Sequence, residues 1–364
     1  MMRRSASEPE PLAWNPPRPR ELAGIREDLV RSTASTLVHE NTALNLAAGL
    51  GTISLKNVGP RMTATVLLSE ERRRLTSAHL WSISDEMTQV SISAGRKLPS
   101  WKVQPDDVPS PSGLMMFDTP LGYYRADPSG QPARIVSIVA ASWGPTRIPR
   151  DSSDHLWVTF WSLTDHDIGV QLLQQNGYSA ARARRIHQSL GDFSWDNEVL
   201  LTYGSPSVNV KYLGDPGEAV DPSDVSIASE LTLGWIQTLR AAWLLQKQDT
   251  RRPITEIEEI PISKTMRKQL QRMGYNTDPV RVVTLHRRHR SRGPRQQANG
   301  YTVTVRSHIS GHVRWQPYPS RGVIEGIWID DHVRGPEGAP WSQRTTTVKR
   351  LDRPPGGRPP IKGK

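Results

Sequence analysis

The sequence predicts an α+β protein, a mixed helix/sheet body followed by a small, basic, β-rich and barrel-like C-terminal module. Three observations carry this reading. Helical apolar spacing alternates with short strand-like runs as far as residue 250. The charge is divided unevenly, since residues 264–364 carry +15 and residues 1–263 carry −4, together the chain's +11. Within residues 280–350, thirteen Lys and Arg stand against four Asp and Glu, on a stretch whose apolar alternation and turn residues are those of strands.

Taken in order, residues 1–20 hold five prolines and charges of both signs, the composition of a disordered arm with Trp14 as its large anchor. From Glu21, the spacing of Leu22, Ile25, Leu29, Leu37, Leu44 and Leu46 fits one long amphipathic helix or two shorter ones, stopped at Gly49 and Gly51. MTATVLL (62–68) reads as a strand, and Ser69 with the arginines that follow reads as a helix start. Ser84 caps a helix to Ala94, with Asp85 and Glu86 at its positive end. The proline-rich residues 97–113 form a loop. Three strands follow in GLMMFDTPL, ARIVSIVAASWG and LWVTFWSL, then helices at 179–190 and 224–248. In the latter, Ile227, Leu231, Trp235, Leu239 and Trp243 recur at four-residue steps, and Gly234 is either a close-packing point or a weak one. A connector (249–262) leads to a basic helix over 263–274, capped by Ser263 and stopped by Gly274. The expected domains are thus an arm (1–20), a body (21–250), the connecting helix (263–274), the module (278–350) and a disordered tail (351–364).

The absence of cysteine removes disulfides, thiolate metal sites and cysteine nucleophiles together. No apolar run approaches the ~20 residues of a membrane span, and residues 1–20 lack the apolar core of a secretory signal, so no membrane partner and a cytoplasmic location are expected. No phosphate-binding GxxxxGK[ST] loop, GxGxxG, HExxH or GxSxG is present, which weighs against an enzyme and calls for no cofactor.

The histidines of the module invite a chemical reading. His308 and His312 lie four apart, a same-face spacing in a strand, whereas His286 and His289 lie three apart. A metal site would need these to converge with Asp330 and Asp331, and none is expected. If the module cleaved RNA without metal, His312, His332 and Arg314 would supply the acid, base and phosphate cation. The same residue types line any phosphate-binding groove. Arg306, Arg314, Arg321 and Arg334 suit forked phosphate contacts, Trp315 and Tyr318 suit base stacking, and His312 suits a backbone contact. Lys264, Arg267 and Lys268 extend the basic surface. Ile327 and Ile329 are expected on one strand face and Trp328 on the other, and HVRGPEGAP (332–340) is expected to be a rigid loop.

These residues also carry a resemblance. SGHVRWQPYPSRGVIEGIWIDDHVRGPEGAP resembles a C-terminal signature of uncharacterised actinobacterial, plasmid and phage proteins, and is distantly similar to the C-terminal part of a phage-borne type V anti-CRISPR protein. The matching positions are Gly311, His312, Arg314, Gln316, Tyr318, Pro319, Ser320, Ile327, Trp328, Ile329, His332, Gly335 and Pro336. The likeness covers residues 263–350. It implies a mobile-element origin and a regulatory role on a translating message or its product.

The function expected is therefore non-enzymatic nucleic-acid binding by the module. RNA is favoured over DNA because no helix-turn-helix or zinc-finger spacing is visible. The alternative is an adaptor or inhibitor of a host or self protein partner, presenting the apolar stripes of its long helices.

Overall fold

In the computed structural model the chain divides into two units, residues 1–285 and 286–364. The structure describes residues 10–47, 58–99, 102–126, 134–146, 155–175, 177–204, 208–209, 227–247, 253–286, 306–309, 311–329, 332–334 and 340. The first unit begins with α1 (Leu22–Thr33), α2 (Thr36–Ala47), α3 (Pro60–Ser77), β1 (His79–Ile83) and α4 (Asp85–Gly95). Strands β2 (Gly113–Phe117), β3 (Gly122–Ala126), β4 (Arg134–Pro145) and β5 (His155–Leu163) come next. They lead to α5 (His166–Gln175), α6 (Ala180–Leu190), β6 (Phe193–Thr202), β7 (Val208–Asn209) and α7 (Ile227–Gln246). β8 (Thr255–Ile260), α8 (Lys264–Arg272) and β9 (Val280–Leu285) complete it.

Among the described residues these nine strands form one mixed sheet in the order β7-β6-β5-β4-β2-β1-β9-β8, with β3 added to β4. β1 runs parallel to β2 and β9, and the remaining pairs are antiparallel. The sheet is covered on both faces, so β2 and β5 read as almost unbroken apolar runs and are buried along nearly their whole length. α1, α3 and α8 cover one face, where Leu22, Leu29, Leu75 and Leu270 pack with Leu80, Leu114 and Trp161. α7 covers the other, with Trp235 against Phe160 and Trp243 edge-on to Trp143.

Residues 62–68 are not a strand. Pro60 starts α3 at a position where its missing N–H costs nothing, and Leu67, Leu68, Glu71, Arg74 and Leu75 then turn inward at helical spacing. The inward face is polar at its centre. Glu71 and Arg74 are 0% and 1% exposed. Arg74 Nη2 and Nε donate to Glu71 Oε2 at 2.6 and 3.1 Å, and the guanidinium lies 5.0 Å from the Trp157 ring centre. Thr159 Oγ1 donates to Oε2 at 2.8 Å and Ser142 Oγ to Oε1 at 2.7 Å. The indoles of Trp157 and Trp161 donate in turn to those two hydroxyls. A carboxylate removed from water thus has donors on both oxygens.

Residues 255–260, read as connector, form edge strand β8. Its glutamates are exposed, the charge that keeps an edge from pairing with another chain. β9 belongs to the body and not to the basic module, because its valines pack into the core between β1 and β8. Trp14 fastens part of the N-terminal arm by donating to Phe117 O at 2.9 Å, while residues 1–9 and the expected tail 351–364 lie outside the described residues. Of the expected apolar stripes, Leu22 and Leu29 of α1 and Trp235, Leu239 and Trp243 of α7 are buried within this unit, whereas Leu44 of α2 is 68% exposed.

Helices α4 and α7 meet at a glycine, though not at Gly234. A Cβ on Gly95 would lie 2.9 Å from backbone atoms of Gln237 and Thr238, whereas Gly234 is exposed with nothing within 4 Å. Chemical denaturation is expected to show Gly95→Ala destabilising by about 1–3 kcal/mol through overpacking. Gly234→Ala should instead stabilise by up to about 1 kcal/mol through helix propensity.

The second unit contains β10 (Ser307–Ile309), β11 (His312–Tyr318), β12 (Val323–Ile329) and β13 (His332–Arg334). The barrel-like module is not formed. Among the described residues, β10 pairs with β13 and β11 with β12, giving two separate two-stranded ladders and no closed sheet. Closure requires every strand to have two neighbours, and the strand expected to open the module, β9, is taken by the body.

Candidate functional site

The basic candidates centre on the β11–β12 hairpin. Its turn is a single 3₁₀ turn over Pro319–Arg321 closed by Gly322 at φ 63°, a left-handed conformation suited to glycine. The register pairs His312 with Ile329, Arg314 with Ile327, Gln316 with Glu325 and Tyr318 with Val323. Alternation therefore divides the hairpin into two faces. Val313, Trp315, Ile324, Gly326 and Trp328 make one, with Val313 and Ile324 buried and both tryptophans half-buried. Trp328 also packs over Gly311, where a Cβ would come within 2.7 Å of its ring. His312, Arg314, Gln316 and Tyr318 make the other face, together with Val323, Glu325, Ile327 and Ile329.

This arrangement sorts the residues singled out from sequence. Arg314 and Tyr318 share a face, and Arg314 is exposed. Arg321 lies 4.3 Å from the Tyr318 ring centre and is paired with Glu325 at 2.8 Å, which offsets part of its charge. Trp315 is on the opposite face from Tyr318, so the two do not form one stacking platform. Arg334 is exposed on β13, across from Ser307, and the Arg306 backbone N–H donates to Pro340 O at 2.8 Å. His332 pairs with Ile309 in the other ladder, so the trio His312, Arg314 and His332 is not carried by one pair of strands. Asp330, Asp331, Gly335, Pro336 and most of LHRRHR lie outside the described residues. Lys264 and Lys268 are exposed on α8, in the first unit, whereas Arg267 turns inward and donates to Ile262 O at 3.4 Å. Among the described residues no group of three His, Asp or Glu could hold a metal ion, and no helix is long and apolar enough to cross a membrane.

A second polar centre, in the first unit, was not found from sequence. Ser162 on β5 pairs with Ile138 and Ser194, while Trp161 pairs with Ala140 and Trp195, leaving Val139 and Asp196 as extra residues in β4 and β6. Two β-bulges thus flank one point of β5, and bulges re-aim side chains. Tyr124 OH donates to Asp196 Oδ2 at 2.8 Å, and Ser162 also bonds the carboxyl. Burial pushes the Asp196 carboxyl up to about 6, against the opposing effect of those two bonds and of nearby Arg134. On α6, burial first and His166 second hold the His187 imidazole below its ordinary value. Its ring seats against Gly169, 5.9 Å from that of His166. The one sequence signal was the Asp-Asn pair at 196–197, which breaks the alternation of FSWDNEVLL.

No family model matches the chain, and no curated protein matches it.

Proposed function

We propose that the second unit binds single-stranded nucleic acid, RNA in preference to duplex DNA, through the hairpin face bearing His312, Arg314, Gln316 and Tyr318. The observation behind this is the register. It sets a forked cation, hydrogen-bonding groups and an aromatic ring in one row, while Val313 and Ile324 anchor the opposite face. Arg314 and Arg334 are the phosphate contacts and Tyr318 the stacking contact, held by Arg321. Trp315, half-buried on the opposite face, supports the hairpin instead of stacking on a base.

The test is fluorescence anisotropy of the full chain with a short labelled RNA and with duplex DNA of the same sequence, across a salt series. RNA is expected to bind more tightly, with an affinity that falls as salt rises. Joint Arg314→Ala and Arg334→Ala replacement should weaken binding and reduce the salt slope by about 0.7 for each lost contact. Tyr318→Ala should weaken binding at unchanged slope, since stacking releases no counterions. Equal affinity of wild type and the double variant would refute the assignment, leaving net charge as the only attraction.

A further inference from the structure

Helix α8 lies against the first unit on one side only. Leu270 is buried, Met266 packs beside Gly24 of α1, and Arg267 turns back to Ile262. On the outer side Lys264, Lys268 and Arg272 are all exposed and recur at four-residue steps, so they form one row along the helix. Successive cations stand ~6 Å apart along the axis. Thr265, Gln269 and Met273 join them in lining a shallow groove. Gln269 donates to Glu27 of α1 at 3.1 Å, and that carboxylate is in turn paired with Arg31 at 3.2 Å.

The row works against the helix that carries it. Like charges one turn apart repel, and Lys264 sits in the first turn, at the positive end of the helix dipole, with no acid beside it. Cations that serve solubility alone are more stable next to acids, as Arg31 is with Glu27 and Asp28, and Arg73 with Glu70. Among the described residues Lys264, Lys268 and Arg272 form no ion pair. An anion laid along the row would relieve both the repulsion and the dipole. A nucleic-acid strand suits it better than an acidic protein face, because its charges come at one regular step, one phosphate per nucleotide, while surface carboxylates keep no fixed spacing.

We propose that the outer face of α8 holds the backbone of a nucleic-acid strand, Lys264, Lys268 and Arg272 each taking the oxygens of one phosphate and reading no base. The ligand class is that of the proposed hairpin contact, but the site lies in the first unit and shares none of its residues.

Fluorescence anisotropy of the full chain with two short labelled single-stranded RNAs of unrelated sequence, across a salt series, tests it. Lys264→Gln, Lys268→Gln and Arg272→Gln together should weaken both RNAs alike and lower the salt slope by about 2, at roughly 0.7 for each phosphate contact. Arg96→Gln, Lys97→Gln and Lys102→Gln together remove the same charge from exposed positions elsewhere in the unit and should leave the slope unchanged. Glutamine matches lysine and arginine in helix propensity, so the α8 variant should be at least as stable as the wild type in chemical denaturation. Absence of salt-dependent binding, equal effects of the two triple variants, weakening of only one RNA, or a lower denaturant midpoint in the α8 variant would each overturn the proposal. In an Arg314→Ala, Arg334→Ala background the α8 replacement should still lower the slope. A double variant that binds like the wild type beside a flattened α8 variant would count against the hairpin contact alone, and the reverse pattern against the α8 contact alone.

Discussion

Replacing Glu71 by alanine is expected to destabilise the protein by about 3–5 kcal/mol, read as a fall in the denaturant midpoint. The substitution leaves the 1%-exposed Arg74 guanidinium without its buried counter-ion, and the hydroxyls of Ser142 and Thr159 without their acceptor. Those hydroxyls are themselves held by Trp161 and Trp157, so the network has little freedom to find new partners. Glu70→Ala is the internal comparison, since Glu70 pairs mainly with the partly exposed Arg73 at 2.8 Å and reaches Arg74 only at 3.9 Å. Its loss should stay within about 1 kcal/mol. Equal losses for the two variants would mean that the buried network adds nothing beyond helix packing.

Asp196→Asn is expected to stabilise the protein at pH 7.5, by about 1–3 kcal/mol. The folded carboxyl titrates near 6 and the unfolded one near its ordinary value of 3.8. Between those values the native state binds more protons. The stability contributed by this group is thus fully present below about pH 3.8 and is lost as pH rises through 6. Two units correspond to roughly 3 kcal/mol, from which the weaker pairing of an amide with Tyr124 and Ser162 subtracts. Denaturation at several pH values between 4 and 7.5 should show the wild type losing this contribution and the variant not. A variant less stable than wild type at pH 7.5 would contradict the burial argument. A residue that costs stability where it stands is a mark of a site kept for function.

Much of the body was legible because its elements follow local rules. The side chains of Ser84, Ser179 and Ser263 cap α4, α6 and α8 as their positions suggest, and the apolar runs of β2, β4 and β5 are strands. α3 was misread because MTATVLL, taken alone, has the branched and apolar content of a strand. The helical period shows only when residues 69–77 are included, where the inward positions are Glu71 and Arg74. β8 was hidden by its glutamates, and β9 by the basic residues that follow it: composition changes near residue 263, but the fold changes at 285. On the hairpin, strand alternation was enough to separate Trp328 from Ile327 and Ile329. It was not applied to Trp315 and Tyr318, which lie three apart and so fall on opposite faces. The Asp196 centre was beyond local reading, since Tyr124, Arg134, Ser162 and Asp196 come from separate strands that are brought together by two bulges.

The position of β9 also dictates when this fold can be completed. The strand lies between β1 and β8, although about two hundred residues of chain separate it from β1. Arg26 fastens the segment just before it by donating to Asn276 O at 2.6 Å. During synthesis at 5–20 residues per second, β1 therefore waits roughly 10–40 s with one hydrogen-bonding edge unpaired. The charged edge of β8 gives no protection in that interval, because β8 reaches the sheet only by pairing with β9. A chain interrupted before residue 280 retains an open apolar edge at the middle of its sheet, whereas one interrupted just after 286 has every strand of the body in place.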